Sequence, residues 1–458
     1  MPSKAMNLPN YFLADLPPEA VLSPAMLAEA CQTLKRNRER YLAGRSTEQL
    51  VNVLSDVAEA WRKSDNPFRK LALELGPAET GFSAGTLKRG LDGFFRQITR
   101  NNLHALLVQE LGDARRLDAL TAAEAERKSS RAAMVVGPEF LVHIAAGNIP
   151  NPTLTSIVFG LLARSAQFVK CASGSAFLPR LFAHSLYEAD SKLGACLEIA
   201  EWRGGNADLE NVLFAEADCV TATGSDETLA AIRSRLPARA RFLGYGHRVS
   251  FGYVAREVLA HASAPRMAAR VTDDVVAWNQ LGCLSPHVIY VQTGGAVSPE
   301  RFAELLSDEL ARCEQTEPRG ELAAPHAAAI ASRRGIYEVR AAHSPETLMW
   351  HSGNSTAWTV VFEADARFQA SCLNRFIYVK PVTDLTELLQ HAEVVRGKVS
   401  TVGIAAPEQQ TEELAAQLAR WGVTRVCPLG QMQNPPLTWR HDGRPPLGDL
   451  VTWMDVEA

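Results

Sequence analysis

Cys283 has the residue type and the sequence context of a nucleophile. It lies in the segment NQLGCLSPHVIYV, where a glycine-containing loop joins a predicted helix to an apolar strand. Loops at strand ends often carry catalytic groups, and a partly exposed thiolate attacks acyl carbons. Taken alone, a cysteine in such a place is more often buried and only packs in the core. The other cysteines adjoin strand-like runs or lie in amphipathic helical patterns, and we predict that they pack.

Asn148 and the histidines are the other side chains that can act on a carbonyl group. Asn148 lies in AAGNIPNP, between a predicted strand and a predicted helix, and its amide can donate to an oxyanion. An ordinary turn asparagine is the alternative interpretation. The eleven histidines form no HExxH motif, and we predict no metal site. We interpret His247 and His287 as structural, and the pair His441 and Asp442 in WRHDG as a surface pair or part of a lid.

Two short segments have the composition of a phosphate-binding edge. Lys170 ends the apolar run AQFVK and is followed by CASGS, and the TGS segment at 223–225 ends a strand and opens a helix. The N-terminus of a helix presents free N–H groups and a positive dipole end, which suit a phosphate. A lysine in solvent and an ordinary serine cap would give the same pattern. No GxGxxG or Walker A motif occurs, and GYG at 244–246 is only a fragment of the first.

The alternation of strands and helices predicts an α/β fold. Residues 1–130 carry apolar residues at helical spacing, with Ser46 or Thr47 as the N-cap of one helix. From about residue 133, short apolar runs alternate with helical patterns, which indicates βαβ units and a mostly parallel sheet. A second alternating block begins near residue 266, and we assign GIYEVRA within it as a strand. The proline-rich tail shows little regular pattern.

Composition and charge exclude several classes of protein. The chain has 458 residues, 47% of them apolar and 21% charged, which excludes disordered, collagen-like and coiled-coil chains. The net charge of −4 argues against a dedicated nucleic-acid binder. No run of about 18 apolar residues occurs, so we expect no stable membrane insertion. The start of the chain has no signal-peptide pattern and the cysteines are dispersed, which predicts a cytoplasmic protein with reduced thiols.

The order of these segments resembles that of the aldehyde dehydrogenase superfamily. More closely, the chain resembles the LuxC-type acyl-CoA reductases, a family of fatty-acyl reductases known from bacterial luminescence. The matching stretches span roughly residues 140–457 and are HIAAGNIPNP, QFVKCASGS, CVTATGSDET, GYGHRVSFGYV, WNQLGCLSPHVIYV and LTWRHDGRPPLGDLVTWMDVE.

The resemblance implies an aldehyde dehydrogenase-like α/β fold. Its expected parts are a helical N-terminal region, a Rossmann-like cofactor domain, an α/β catalytic domain and an oligomerisation arm. By this analogy, the cofactor domain covers residues 1–265 with the arm near 112–140. The catalytic domain covers 266–430, and 431–458 form a C-terminal tail.

The resemblance also implies a role for each matching residue. Cys283 would be the nucleophile, and Asn148 would share the oxyanion site with the backbone N–H of Cys283. His247 would donate a proton or orient a reacting group. The implied cofactor-binding residues are Lys170 at the adenosine ribose, Ser225 near the pyrophosphate, and Ser173, Thr223, Gly224 and Gly246 beside them.

The implied reaction is the NADPH-dependent reduction of an acyl thioester to the aldehyde through an acyl-cysteine. The acyl donor would be an acyl-CoA or an acyl-carrier thioester. Ser173, Ser175 and Arg180 are available for the 2′-phosphate of NADPH. Expected partners are the acyl thioester, an acyl-transferring or acyl-activating protein, and further copies of this chain, but no nucleic acid.

One departure from the superfamily separates the candidate functions. Hydrolytic aldehyde dehydrogenases carry a glutamate base in a motif like E-L-G-G, whereas this chain has GYGH at 244–247. Without that carboxylate, activation of water against the acyl-cysteine is in doubt, which favours reduction over hydrolysis. Two alternatives stay open: an NAD(P)-dependent aldehyde dehydrogenase that forms the free acid, and a non-catalytic scaffold subunit on the same fold.

Overall fold

The computed structural model describes residues 8–17 and 19–457. Residues 1–7 and 18, within the predicted cofactor domain, and residue 458, at the end of the predicted tail, lie outside the described residues. None of the helices in the described part of the chain is both long enough and apolar enough to cross a membrane.

The N-terminal region is helical, as predicted. Ser46 caps α2 by accepting from the Gln49 backbone N–H, while the Gln49 side chain accepts from the Ser46 N–H. Most of these helices share one core with helices of the first sheet, whereas Leu27, Cys31 and Leu34 of the first helix pack in a second cluster with strand residues of that sheet. The helices are α1 (Pro24–Tyr41), α2 (Thr47–Arg62), α3 (Pro67–Glu74), α4 (Gly76–Thr80), α5 (Ala84–Gln97), α6 (Arg100–Leu111) and α7 (Glu124–Lys128).

The first sheet is parallel and has the strand order of a Rossmann-type fold. Its order is β4-β3-β2-β5-β6, so the chain starts in the middle and builds outwards on both sides. The strands are β2 (Phe140–Ile144), β3 (Ala166–Cys171), β4 (Leu197–Glu201), β5 (Cys219–Thr223) and β6 (Arg241–Tyr245). The connecting helices are α8 (Asn151–Leu162), α9 (Phe177–Ala189), α10 (Ser191–Gly194), α11 (Ala207–Glu216) and α12 (Asp226–Arg235). The carboxyl ends of these strands therefore form one edge, where ligands of such folds bind.

The second sheet carries the segment around Cys283. Its order is β13-β12-β7-β8-β11-β10-β9, parallel except for β9 at one edge. The strands are β7 (Val249–Val254), β8 (Pro286–Gln292), β9 (Thr347–His351), β10 (Thr359–Glu363), β11 (Phe376–Val382), β12 (Val399–Ala405) and β13 (Val426–Pro428). The helices are α13 (Ala264–Val276), α14 (Pro299–Thr316), α15 (Ala324–His343), α16 (Leu385–His391) and α17 (Glu408–Trp421).

The second sheet differs from two expectations based on the sequence. The chain enters the second sheet at Val249, ahead of the predicted boundary at 265, because β7 pairs with strands that come much later in the sequence. The strand predicted at GIYEVRA was wrong, since these residues lie inside α15. Buried residues recur there at Ile330, Arg334 and Tyr337, which is helical spacing. The β-branched residues that suggested a strand, Ile336 among them, point to solvent.

A two-stranded ribbon joins the segment predicted as the arm to the C-terminal tail. Strand β1 (Arg131–Val136) pairs antiparallel with β14 (Thr452–Glu457), from the register Arg131↔Glu457 to Val136↔Thr452. The tail, which showed little regular pattern in the sequence, thus ends in a strand whose partner lies far away in the chain. The ribbon exposes several large apolar side chains, namely Val136, Trp453, Met454 and Val456.

Candidate active site

A cavity of about 430 Å³ lies between the carboxyl edge of the first sheet and the segment that precedes β8. Cys283 lines it together with Thr223 and Tyr245, which end strands β5 and β6. Helices α5 and α8, the turn before Cys283 and the tail from Gly430 to Leu450 form its other walls. The structure therefore brings the predicted nucleophile and part of the predicted cofactor edge into one cavity.

Cys283 follows an unusual turn of backbone. Trp278, Asn279 and Gln280 all have positive φ, at 50°, 50° and 65°. Left-handed backbone costs energy for residues other than glycine and is kept only where surrounding contacts impose it. Gly90 on α5 makes room for the first of these residues, because a Cβ there would lie 1.9 Å from the Trp278 ring.

Hydrogen bonds from Gln280 hold this turn. The fully buried side chain of Gln280 donates to the carbonyls of Pro286 at 2.7 Å and Phe376 at 2.9 Å, and it accepts from the Phe376 N–H at 2.9 Å. The Ser250 hydroxyl also donates to the Cys283 carbonyl at 2.7 Å. The loop is thus fastened to β7, β8 and β11, so Cys283 has a defined place at the edge of the second sheet.

The thiol of Cys283 is protonated in its surroundings. Cys283 is partly exposed to the cavity but largely desolvated. Burial raises the pKa of its thiol to about 12, and the nearby carboxylate of Asp442 acts in the same direction. Arg248 and Arg425 oppose this shift. A proton acceptor is therefore needed before Cys283 can attack a carbonyl at neutral pH.

Asn148 lies beside the nucleophile loop. Its Nδ2 donates one hydrogen bond, of 2.7 Å, to the carbonyl of Leu281, two residues before Cys283. An amide nitrogen carries two hydrogens, so one remains available. The side chain is otherwise exposed. Asn148 does not itself line the cavity, and its role as an oxyanion donor stays a prediction.

His247 lies away from this arrangement. Its side chain is exposed and is not part of the cavity wall. It lies near His287, whose pKa falls to about 4 because of burial first and His247 second. The histidines that do line the cavity, among the described residues, are His143 and His441. The sequence analysis did not identify His143 as a site residue. It interpreted His441 as part of a surface pair or a lid, on the basis of the WRHDG motif.

Lys170 stands at the carboxyl end of β3, as predicted. The side chain is buried, and its Nζ lies 5.7 Å from the centre of the Trp202 ring. Burial lowers the pKa of Lys170, while nearby Glu210 and Glu201 raise it, and no hydrogen bond contributes. A buried ammonium with no hydrogen-bond partner among residues 8–17 and 19–457 could contact hydroxyl or phosphate oxygens of a nucleotide at this edge.

The other predicted cofactor residues gather at the same edge. Ser225 caps α12, its Oγ accepting from the Thr228 N–H at 3.3 Å. Thr223 and Gly224 precede it at the end of β5, where Gly224 donates to the Tyr245 carbonyl at 3.2 Å. Gly246 follows β6 and lies close to the exposed Asp226, whose carboxylate oxygen would have to move if residue 246 carried a Cβ. These residues fit a dinucleotide that crosses the sheet edge.

Only some of the residues predicted to contact a 2′-phosphate are free to do so. Ser173 is exposed beside Gly174, whose φ is +78°. Ser175 donates to the Ala172 carbonyl at 2.7 Å, and the Arg180 guanidinium is paired with the buried carboxylate of Asp15. Arg180 is therefore engaged elsewhere, which leaves Lys170 and Ser173 as the available groups at this end.

Comparisons with known proteins agree with this geometry. The profile described as acyl-CoA reductase (LuxC) matches residues 42–453, which is most of the chain. The protein belongs to this LuxC family. The resemblance stated from the sequence motifs is thereby confirmed, although the family match begins well before the stretches that carried it.

Relatives of the LuxC protein share most of its length. The long-chain acyl-protein thioester reductase of Aliivibrio fischeri is 23% identical over 419 residues, covering 89% of this chain and 82% of the relative. The protein of the same name from Photobacterium phosphoreum is 23% identical over 422 residues, covering 89% and 80%. An NAD-dependent benzaldehyde dehydrogenase from Corynebacterium glutamicum has a similar fold, with a TM-score of 0.69 at 13% identity over 95% of this chain and 91% of that one. The predicted aldehyde dehydrogenase-like fold is confirmed.

Proposed function

We propose that this LuxC protein reduces an acyl thioester to the aldehyde, through an acyl-cysteine on Cys283 and with NADPH as the electron donor. Family membership and the names of the relatives support thioester reduction as the reaction. The observation that carries the proposal is the cavity itself, in which Cys283 lies between a Rossmann-type sheet edge and a largely apolar wall. An acyl group carried on this cysteine would lie next to the proposed cofactor edge.

The protein's part in the first half-reaction is nucleophilic attack and oxyanion stabilisation. The Cys283 thiolate attacks the thioester carbonyl, the carbon–sulfur bond to the carrier breaks, and the acyl group remains on Cys283. The free N–H of the Asn148 amide and the Cys283 backbone N–H would stabilise the tetrahedral oxyanion. One such donor is worth roughly 3 kcal/mol.

A bound nicotinamide dinucleotide supplies the hydride for the second half-reaction. Lys170 and Ser173 would hold its adenosine end, and the N-terminus of α12 with Ser225 would hold the pyrophosphate. Thr223 lines the cavity beside Cys283 and would contact the reacting end. Cys283 then departs as thiolate when the aldehyde forms.

An apolar wall suits a long acyl chain. The aromatic and aliphatic side chains that face the cavity from α5, α8, the nucleophile turn and the tail are Phe94, Ile98, Phe159, Trp278, Leu437 and Leu450. Burying each methylene of an acyl chain against such a wall contributes about 0.8 kcal/mol. We therefore infer that long acyl chains bind more tightly than short ones.

The free-acid alternative has one observation in its favour. Asp442 is a carboxylate near Cys283, and a carboxylate could activate water. In the GYGH segment, where hydrolytic enzymes have their glutamate motif, the chain has Tyr245, whose pKa burial raises to about 12. Asp442 is buried and paired with Arg248 at 3.2 Å. Because Arg248 already engages this carboxylate, we favour a structural role for Asp442 over activation of water.

Cofactor oxidation with a series of thioesters tests the proposed function. Wild-type protein with NADPH is offered acyl-CoAs from acetyl to stearoyl, and aldehyde is quantified beside absorbance at 340 nm. We expect one aldehyde per NADPH and a kcat/KM that rises with chain length. Oxidation of aldehydes to acids without thioester reduction would establish the dehydrogenase instead, and no turnover in either direction would support a scaffold.

Replacing Lys170 with methionine is expected to weaken cofactor binding. Methionine fills similar space but removes the ammonium. A hydrogen bond to a charged group contributes about 1.5–3 kcal/mol, so the Kd for NADPH should rise by about 10- to 100-fold. Binding is measured by quenching of protein fluorescence, with NADPH and NADH compared. Lys192→Met, an exposed lysine on α10, is the matched control. An unchanged Kd for NADPH would remove Lys170 from the cofactor site.

A further inference from the structure

His441 reaches the cavity from the tail and is held there by aromatic stacking. Its ring stacks on Tyr245 with centroids 4.5 Å apart and an interplanar angle of 15°. Trp439 packs against the same histidine at 4.7 Å. The guanidinium of Arg444 lies 4.5 Å from the Tyr245 ring centre and donates to the Gly244 carbonyl. The imidazole is therefore fixed in place without using its nitrogens.

The two cavity histidines of the described chain differ in their free nitrogens. His143 has both ring nitrogens engaged, with the Thr221 hydroxyl at 2.6 Å and the Gln167 side chain at 2.8 Å. For His441, burial and charges act on the ring but no hydrogen bond does, within residues 8–17 and 19–457. Of this pair, only His441 has ring nitrogens without a hydrogen-bond partner among the described residues.

His441 and Cys283 share the same charged neighbours. Asp442 and Arg248, which form an ion pair at 3.2 Å, influence both the imidazole and the thiol. Arg444, which lies against the Tyr245 ring, also acts on the imidazole. Arg425 lies 5.6 Å from the centre of the Trp439 ring. The two groups therefore occupy one electrostatic environment as well as one cavity.

The protonation states of these groups match a proton transfer. Burial lowers the pKa of His441, with Arg444 and Arg248 acting in the same direction and Asp442 opposing them. The imidazole is thus neutral at pH 7 and can accept a proton. Because burial raises the pKa of the Cys283 thiol to about 12, the thiol is almost entirely protonated at that pH. Attack by Cys283 without a base would be correspondingly slow.

We propose that His441 is the proton-transfer residue of Cys283 in the proposed thioester reduction. The neutral imidazole takes the thiol proton as the cysteine sulfur bonds to the acyl carbon. The imidazolium then gives that proton to the departing carrier thiolate, so a free thiol leaves and the imidazole is neutral again. When the aldehyde is released, the Cys283 thiolate regains one proton from solvent. The inference rests on the proposed function and assigns the role expected of His247 to a different residue.

Thiol release in a single turnover, without cofactor, tests this assignment. Palmitoyl-CoA is mixed with excess enzyme, and free coenzyme A is quantified by chromatography after acid quenching, from pH 5 to 9. Wild-type release should rise with pH and become constant above about pH 6.5, once the imidazole is neutral. In His441→Phe, which keeps an aromatic ring on Tyr245, release at pH 7 should fall by about 10²–10⁴-fold. Its rate should then rise about tenfold per pH unit, following the thiolate alone.

Further variants distinguish proton transfer by His441 from a purely structural role. His441→Ala should recover part of its rate with added imidazole, which a purely structural role would not allow. His326→Gln, an exposed histidine on α15, should match wild type. The assignment to His441 would be overturned if the release rate of His441→Phe still became constant above about pH 6.5, or if this plateau were lost in His247→Gln instead. Either result would leave thioester cleavage by the protein intact. No thiol release from the wild type would refute the proposed function itself.

Discussion

Replacing Cys283 with alanine is expected to abolish aldehyde formation and thiol release together. The sulfur forms the bond that both half-reactions need, so turnover should fall by at least about 10⁴-fold. The substitution removes one partly exposed atom from the cavity wall, and we expect the thermal midpoint to stay close to that of the wild type. Steady-state reductase activity, coenzyme A release and a thermal melt on the same preparation check these outcomes.

A second cysteine controls for general thiol reactivity. Cys372 is also partly exposed but does not line the cavity, and Cys372→Ala should retain wild-type rates. Cys283→Ser gives a further comparison, since a hydroxyl is a far weaker nucleophile at neutral pH. Substantial reductase activity in Cys283→Ala would show that the acyl group is not carried on this residue.

Replacing Gln280 with leucine is expected to damage both stability and acylation. Leucine would remove the three hydrogen bonds of the buried amide and leave the Pro286 carbonyl without this donor. The Phe376 carbonyl would keep the Ser371 hydroxyl and the Phe376 N–H would keep the Leu373 carbonyl. An unpaired buried group costs about 1–3 kcal/mol, so the free energy of unfolding should fall by about that amount. Released from its left-handed turn, the Cys283 loop should also lose its position, and misplacement by 1 Å costs about 10²-fold in rate.

Denaturant unfolding and single-turnover thiol release separate the two effects. Release is measured at a temperature where the variant remains folded, so that loss of rate is not loss of protein. Gln409→Leu, at an exposed site early in α17, should change neither quantity. If Gln280→Leu matched wild type in both, the hydrogen bonds of Gln280 would not hold the nucleophile loop.

The sequence patterns located the parts of the site that depend on local structure. Lys170 and Thr223 each stand near the carboxyl end of a strand of the first sheet, and parallel strands bring such ends to one edge. Cys283 lies in the loop before β8 of the second sheet. Strand alternation predicted the α/β class, whereas the specific fold and the meeting of Cys283 with this edge were expected from the family resemblance.

Long-range contacts explain what the sequence could not show. His441 acquires its environment from Tyr245 on β6, almost two hundred residues earlier, and nothing near WRHDG indicates that pairing. Strand β14 exists because β1 offers it a partner, and β7 joins the second sheet through β8 and β12. Arg180 is likewise unavailable to a cofactor phosphate because it pairs with Asp15, near the start of the chain.

The fate of the acyl-enzyme tests the central claim most directly. Wild-type protein is mixed with palmitoyl-CoA in the absence of cofactor, and its intact mass is followed before and after NADPH is added. We predict a single palmitoyl adduct, mapped to Cys283, that persists without cofactor and is discharged as palmitaldehyde when NADPH arrives. An adduct that decays to palmitic acid at the same rate with or without NADPH would contradict the account and establish a hydrolytic enzyme.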